Sequence, residues 1–398
     1  MTILLVELES KGHHISSYIR SIVHNLIKNK KKIIFLTSEE IKKNDYYEYL
    51  KNNTRIIFVK KIKYPSIKNY INLLKFQFDY YNLIKKKVRE IDKKFKIEHI
   101  YINTLDFFDK PISVLGSPFK NINFSCLYLN PKFYFNYQIF SMEFIKKIIY
   151  QYLFYKILNI KTLKNIFFVD PLCFNYLIKK KLGHKRKITY IEDLGTGNQI
   201  NKFSLSKKKC RNILKINQKD FVILVYGSIR KTKSLKELFD VIELLENNNL
   251  VKILIAGQQD EFTKNYLKDL TIRKKNLKKQ IIIIDKFIND KLEKILFKTS
   301  DLTWTGYSKK FYGSGGVFFL SCINKTPVIT SDHGAIGWYG KKYNVGISID
   351  LTNKKILLNQ LNKFLKREKT QYNFNFVNKK HNFLNFGKKI TDKILLNF

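Results

Sequence analysis

Acidic residues, sulfur and turn-formers are scarce in this chain. Against 75 Lys and Arg it carries 32 Asp and Glu, with four cysteines, two methionines, six prolines and sixteen glycines in 398 residues. Each shortage excludes something. Cys126, Cys173, Cys210 and Cys322 are widely spaced and form no C-x-x-C pair, so neither a disulfide framework nor a zinc knuckle is indicated, and a reducing cytoplasm fits. No run reaches the ~20 uncharged apolar residues of a membrane span. The most membrane-like stretch, FSMEFIKKIIYQYLFYKILNI (140–160), is interrupted by Glu143, Lys146, Lys147 and Lys156 and reads as an amphipathic helix. The start, MTILLVELESKGHH, sets Glu7 and Glu9 behind a short apolar run, unlike a signal peptide, and reads as a buried first strand. The deficit of acid leaves a formal charge of +43, which attracts nucleic acid, anionic lipid or phosphorylated small molecules. Lys, Asn, Ile, Phe and Tyr are enriched together, as an AT-rich coding sequence would make them. The basic residues are scattered over nearly every helix, so a nucleic-acid groove is not expected.

What is present is a repeated grammar. Hydrophobic residues make up 44% of the chain, enough for two cores. Short apolar runs alternate with helical patterns throughout, the mark of βα units on a parallel sheet. Strands are expected at 3–8, 32–38, 55–61, 99–103, 122–129 and 165–170, then at 221–227, 252–257, 280–285, 301–305, 327–332 and 345–350. A helix opening near Ser16 places Ile19, Ile22, Val23, Leu26 and Ile27 on one face. Residues 190–211, rich in Gly, Asn, Ser and Lys, read as a linker. The expectation is two doubly wound α/β domains facing across a cleft: residues 1–195, residues 196–380, and a last helix within 381–398.

Because glycine is scarce, its clustering carries information: residues 312–337 hold five of the sixteen. Gly313, Ser314, Gly315 and Gly316 precede VFFLSC, read as the first turns of a buried helix. A Gly-rich turn at a helix N-terminus exposes unpaired N–H groups and suits a phosphate or diphosphate. Gly227, Gly257 and Gly306 close three expected strands, where backbone amides can come close to a ligand. After Gly227, Ser228, Arg230, Lys231 and Lys233 stand between a strand and a helix, where cations can neutralise a departing diphosphate.

Read in order, YGSIRKTKSLKEL (226–238), ILIAG (253–257), INDKLEKILFKTSDLTW (288–304) and SGGVFFLSCINKTPVITSDHGAIG (314–337) resemble the second domain of GT-B glycosyltransferases of family 4, the "group 1" family, over roughly residues 205–350. In that family's G-R-x-x-x-x-K-G element, Gly227 and Lys233 match, Ser228 takes the Arg position with Arg230 nearby, and Ser234 replaces the second glycine. The family's E-G-F-G-x-x-x-x-E falls on Tyr312, Gly313, Ser314 and Gly315, then Leu320, so both glutamates are absent. The second of them grips the donor ribose in the family. A divergent branch with a G-S-S-G-V turn and a D-x-G-x-I-G loop is the nearer likeness.

The resemblance implies two Rossmann-like domains and retaining transfer of a sugar from a nucleotide-diphosphate donor to a hydroxyl acceptor, a glycan or a lipid-linked one. No metal or other cofactor is implied, and no covalent nucleophile. Donor binding falls to Gly227, Ser228, Gly257, Tyr312, Gly313, Ser314, Gly315, Gly316 and Val317. Arg230 and Lys233 stabilise the leaving group, with His13 and Asp106 as further catalytic candidates. Gly12, His14 and Asn103 lie on the acceptor side. The histidine pair can equally make a helix-start hydrogen bond, and Asp106 can cap the helix that follows. The aromatic and Lys-rich stretch 130–158 reads as a helix lying on an anionic membrane, a sugar-stacking surface or a core helix. A non-catalytic sugar-nucleotide or glycan-binding protein on the same scaffold, or an inverting GT-B enzyme, is the alternative.

Overall fold

The computed structural model describes all residues except 11–13, 66–69, 136, 138, 140, 182–186, 195–202, 246, 247, 369, 397 and 398. The chain forms two compact units, one comprising Met1–Asn198 with His381–Phe398 and the other Gln199–Lys380. The expected linker, 190–211, falls partly outside the described residues.

Seven parallel strands build the sheet of the first unit: β1 (Thr2–Val6), β2 (Lys32–Ser38), β3 (Arg55–Val59), β4 (His99–Ile102), β5 (Asn123–Tyr128), β6 (Leu163–Phe168) and β7 (Ile188–Tyr190). Their order is β3-β2-β1-β4-β5-β6-β7. Six of these were expected. The seventh, β7, is a three-residue edge strand on β6, too short to show a periodicity of its own. Along β1 the pleat sends Leu4 and Val6 into one core and Ile3 and Leu5 into the other. Burial on both faces is why these strands read as unbroken apolar runs.

The helix expected near Ser16 begins differently. His14–Ile19 is a π-helical turn that passes into the α-helix Arg20–Lys28. Ile19, Ile22, Val23 and Leu26 are buried as expected, but Ile27 is 37% exposed. Ile27 falls at the margin of the apolar stripe and next to the helix's last residue, Lys28, where the stripe is no longer fully covered.

The second unit has six parallel strands, β8 (Phe221–Tyr226), β9 (Val251–Ala256), β10 (Ile281–Ile284), β11 (Leu302–Thr305), β12 (Val328–Ser331) and β13 (Gly346–Ile349), in the order β10-β9-β8-β11-β12-β13. Both sheets are thus doubly wound, with the strand order reversing beside β1 in one and beside β8 in the other. Open α/β sheets place ligands beyond the carboxyl ends of the strands at such a switch point.

The last helix, Phe383–Leu395, lies within the expected 381–398 and starts where the Asn382 side chain caps it, accepting from Asn385 N–H at 2.9 Å. It packs on Arg20–Lys28 within the first unit. Phe386 stacks on Tyr18 at 4.9 Å. A Cβ at Gly387 would lie 2.2 Å from the Ser21 carbonyl oxygen, so glycine is what lets the two backbones meet. Gly387→Ala is therefore expected to cost roughly 2–3 kcal/mol of stability by overpacking, seen as a lower urea midpoint with an unchanged m-value.

Candidate active site

At the switch point of the first sheet a buried carboxylate closes β1. Glu7 is 0% exposed, and its Oε2 accepts from Asn103 Nδ2 at 2.7 Å, Thr104 Oγ1 at 2.8 Å and His14 Nδ1 at 3.0 Å. Its Oε1 accepts from the Glu9 N–H at 2.8 Å. The donors come from the loop after β4 and the start of the π-turn, so parallel pairing of β1 with β4 assembles the cluster. Burial alone would keep Glu7 protonated, but His14, Asn103 and the Glu9 amide outweigh it and hold its pKa below the usual value. Burial likewise opposes the His14 charge. Glu7, with Glu9 and Asp106 farther off, overcomes it and raises the imidazole pKa. Behind the cluster Lys61 bridges Glu9 at 3.0 Å and Glu40 at 3.1 Å.

Of the expected residues in this unit, His14 and Asn103 are brought together, whereas Gly12 and His13 lie outside the described residues. Asp106 is elsewhere engaged. Its two carboxylate oxygens accept from the N–H groups of Leu129 at 3.0 Å and Asn130 at 2.7 Å, tying the turn after β4 to the loop after β5. It caps no helix. Burial raises its pKa to about 6, the two amides opposing and Asp109 assisting. Glu7 itself, the hub, was read as the end of an apolar strand; an acid at the carboxyl end of a buried run was the available signal.

In the second unit two of the strand-end glycines meet, while Gly306 packs on Trp304 and Leu351. Gly227 has φ +93 and Gly257 φ +134, and a Cβ at Gly257 would lie 1.8 Å from the Gly227 carbonyl oxygen. Beyond Gly227 the chain makes a tight turn, Lys231–Lys233, ending in Ser234 at φ 45, ψ 43. That left-handed conformation favours glycine, so serine here is held under strain. The turn is fixed from below, since Trp304 Nε1 donates to the Lys233 carbonyl at 2.9 Å and Ser308 N–H to the Thr232 carbonyl at 2.9 Å.

Lys233 is 3% exposed. Its ammonium donates to the Tyr226 carbonyl at 3.1 Å and to Tyr307 Oη at 2.9 Å, and lies 4.6 Å from the Tyr307 ring centre. Tyr307 stacks on Phe311 at 3.9 Å. The Gly-rich turn sits directly on this pair: a Cβ at Gly315, φ +67, would be 3.3 Å from Tyr307 Oη. Gly315 caps the helix Gly316–Ile323, whose first N–H groups have no acceptor within the helix. A Cβ at Gly227 would be 3.4 Å from Val317 Cγ2, which joins the two loops into one concave backbone surface.

Arg230, by contrast, is exposed, with Nε donating to Ser228 Oγ at 2.9 Å. The backbone of Tyr312 accepts from Ala335 N–H at 2.9 Å and lies under Gly334, so Gly313 and Ser314 are carried by the start of the helix Gly334–Lys342. Leu320 is 6% exposed and packs with Tyr226, Ile288 and Phe297. Tyr226, Trp304 and Tyr307 were not singled out from sequence, because aromatic residues are common throughout this chain. Among the described residues no cluster of His, Cys, Asp and Glu could hold a metal ion.

The Glu7–His14 pair has a pH signature. Glu7's lowered pKa stabilises the fold above its ordinary 4.5, a contribution lost as pH falls through the depressed value. His14's raised pKa stabilises the fold below its ordinary 6.5, a contribution lost as pH rises through the elevated value. The gap in urea midpoint between wild type and His14→Gln is thus expected to be widest near about pH 5.5 and to shrink by about pH 9. A gap independent of pH counts against a charged pair.

Comparison with known proteins agrees with this geometry. Residues 206–381 match the family described as Glycosyl transferases group 1. A glycosyltransferase from Rickettsia africae superposes with a TM-score of 0.66 at 17% identity, covering 100% of this chain and 99% of that one. HepE of Anabaena, in complex with UDP and glucose, gives 0.67 at 14% identity with both chains covered at 100%. Sucrose-phosphate synthase of Thermosynechococcus elongatus gives 0.70 at 12%, covering 100% of this chain and 99% of that one. Against curated proteins no sequence match is found. Residues 206–381 are thus similar to the group 1 glycosyltransferases, and the chain as a whole has the GT-B fold of these solved structures.

Proposed function

We propose that the second unit binds a nucleotide-diphosphate sugar and that the sugar passes, with retention at the anomeric carbon, to a hydroxyl acceptor held by the first unit. The observation carrying this reading is the junction of Lys233, Tyr307 and Gly315, which sets a buried ammonium beneath a Gly-rich helix start. HepE, bound to UDP-glucose, shares the fold at a TM-score of 0.68 and supports the choice of donor. In the reaction the bond from the anomeric carbon to the diphosphate oxygen breaks and its electron pair leaves with the diphosphate. The acceptor oxygen bonds to that carbon, and its proton passes to the oxygen of the departing diphosphate. The second unit's task is to stabilise the charge that develops on the leaving group, by the amides of Gly316 and Val317, by Lys233 and by the exposed Arg230. Ser228, Gly257, Tyr312, Gly313, Ser314 and Gly315 shape the donor surface, and His14 with Asn103 lies on the acceptor side.

The acceptor is read as a glycan or a lipid-linked one, and the helix Met142–Leu158 supports the lipid-linked form. It buries Phe154, Ile157 and Leu158, whereas Met142, Ile145, Ile148, Ile149, Tyr152 and Tyr155 are exposed, interleaved with the exposed Lys146 and Lys156. No helix among the described residues is long and apolar enough to cross a membrane. An apolar stripe edged with lysine suits the surface of an anionic bilayer.

Two experiments test these readings. In thermal-shift screens against UDP-, GDP-, ADP- and CMP-sugars, one donor raises the melting temperature of the wild type. Lys233→Ala removes most of that rise, and Arg230→Ala, on the surface, lowers it without changing the ligand-free value. Equal shifts in all three proteins reject the site. In sedimentation with vesicles, the wild type is expected to bind phosphatidylglycerol over phosphatidylcholine, and the Ile148→Glu, Tyr152→Glu double variant to bind at least about tenfold less. Undiminished binding by that variant removes the helix from the membrane contact.

A further inference from the structure

Beside the donor cradle stands a carboxylate that the transfer described above does not use. Glu293 lies in the first turn of the helix Asp290–Thr299, and its Oε2 accepts from Tyr226 Oη at 2.5 Å. Tyr226 is the last residue of β8, directly before Gly227, and is buried against Phe297, Ile288, Leu320 and Val317. In these apolar surroundings burial raises the Glu293 carboxyl to about 7, Asp290 adding to the rise and the Tyr226 hydrogen bond opposing it. The residue is half-buried, and its Oε1 accepts no hydrogen bond among the described residues. The acid is therefore held in one orientation by one oxygen and left with an acceptor on the other.

A carboxylate next to a diphosphate cradle repels phosphate, so the ligand group it suits is a donor. In a nucleoside diphosphate the group covalently next to the diphosphate is ribose, which carries two adjacent hydroxyls. Val317 and Leu320, on the facing helix, present apolar side chains and offer those hydroxyls no acceptor. Glu293, joined through the Tyr226 hydroxyl to the strand end before Gly227, brings a carboxylate acceptor to this apolar cluster.

We propose that Glu293, oriented by Tyr226, receives the ribose hydroxyls of the donor nucleotide and makes this unit selective for a ribonucleoside diphosphate over a bare diphosphate. The inference rests on the donor-site reading, since it needs the diphosphate beside Gly227.

Isothermal titration with UDP, GDP and ADP, their dideoxy counterparts and inorganic pyrophosphate tests it. In the wild type at least one ribonucleotide is expected to bind about tenfold or more tightly over its dideoxy form, the loss typical of a hydrogen bond to a charged group. In the isosteric Glu293→Gln variant that ratio drops toward one while pyrophosphate affinity is unchanged, which also shows that the unit is folded. Tyr226→Phe, which frees the carboxylate to turn, lowers the ratio in the same direction. An undiminished ratio in Glu293→Gln overturns the proposal, as does a parallel fall in pyrophosphate affinity. If Lys233→Ala abolishes binding while the Glu293→Gln ratio stays high, the donor site stands and this assignment alone fails. If none of the probes binds the wild type, both fail together.

Discussion

One ammonium group organises the second unit. By donating to the last carbonyl of β8 and to the hydroxyl of Tyr307, Lys233 locks the end of one strand to the loop after the next strand in space, which is far away in sequence. A buried ammonium is costly unless its protons are matched, so the surrounding chain has little freedom. Trp304 must hold the Lys233 carbonyl, Ser234 must accept a left-handed backbone, and Gly315 must lack a side chain to pass over the tyrosine. Each constraint pushes backbone amides toward the same point. The concavity that results is a by-product of satisfying one charge.

Much of the architecture was legible because both sheets are parallel and buried on both sides, which turns nearly every strand into a short apolar run. Strand ends differ by at most two residues, where Gly, Asp or Lys follows without breaking the run. The edge strand β7 and the π-turn were not legible. One is too short to carry a pattern, and the other depends on a local winding that the apolar spacing does not encode.

The site was legible in part and for a physical reason. Glycines are rare here, so a cluster of them stands out, and Gly227 and Gly257 meet in space as their positions after strands suggested, with Val317 of the Gly-rich turn's helix against Gly227. The polar hub of the first unit was hidden. Glu7 acquires its meaning from His14, in the turn that follows its own strand, and from Asn103 and Thr104, which pairing of β1 with β4 brings to it from 96 and 97 residues away. Asp106 was visible, but its partners were not, since an acid after a strand can serve a ligand, a helix or, as seen here, two amides of a neighbouring loop. With few acids in a strongly basic chain, several of them have become internal fasteners: Asp301 holds Arg211 at 2.7 Å and Lys207 at 2.6 Å, and Asp170 caps its helix at 2.8 Å.

The packing of Phe383–Leu395 on Arg20–Lys28 bears on how the protein is made. The first unit draws its final helix from a segment translated after every residue of the second. On the ribosome, the amino-terminal sheet therefore waits with the groove around Tyr18 and Ser21 uncovered while the carboxy-terminal sheet emerges and closes. The unit begun first is the one completed last, and during that interval its uncovered surface is open to chaperones.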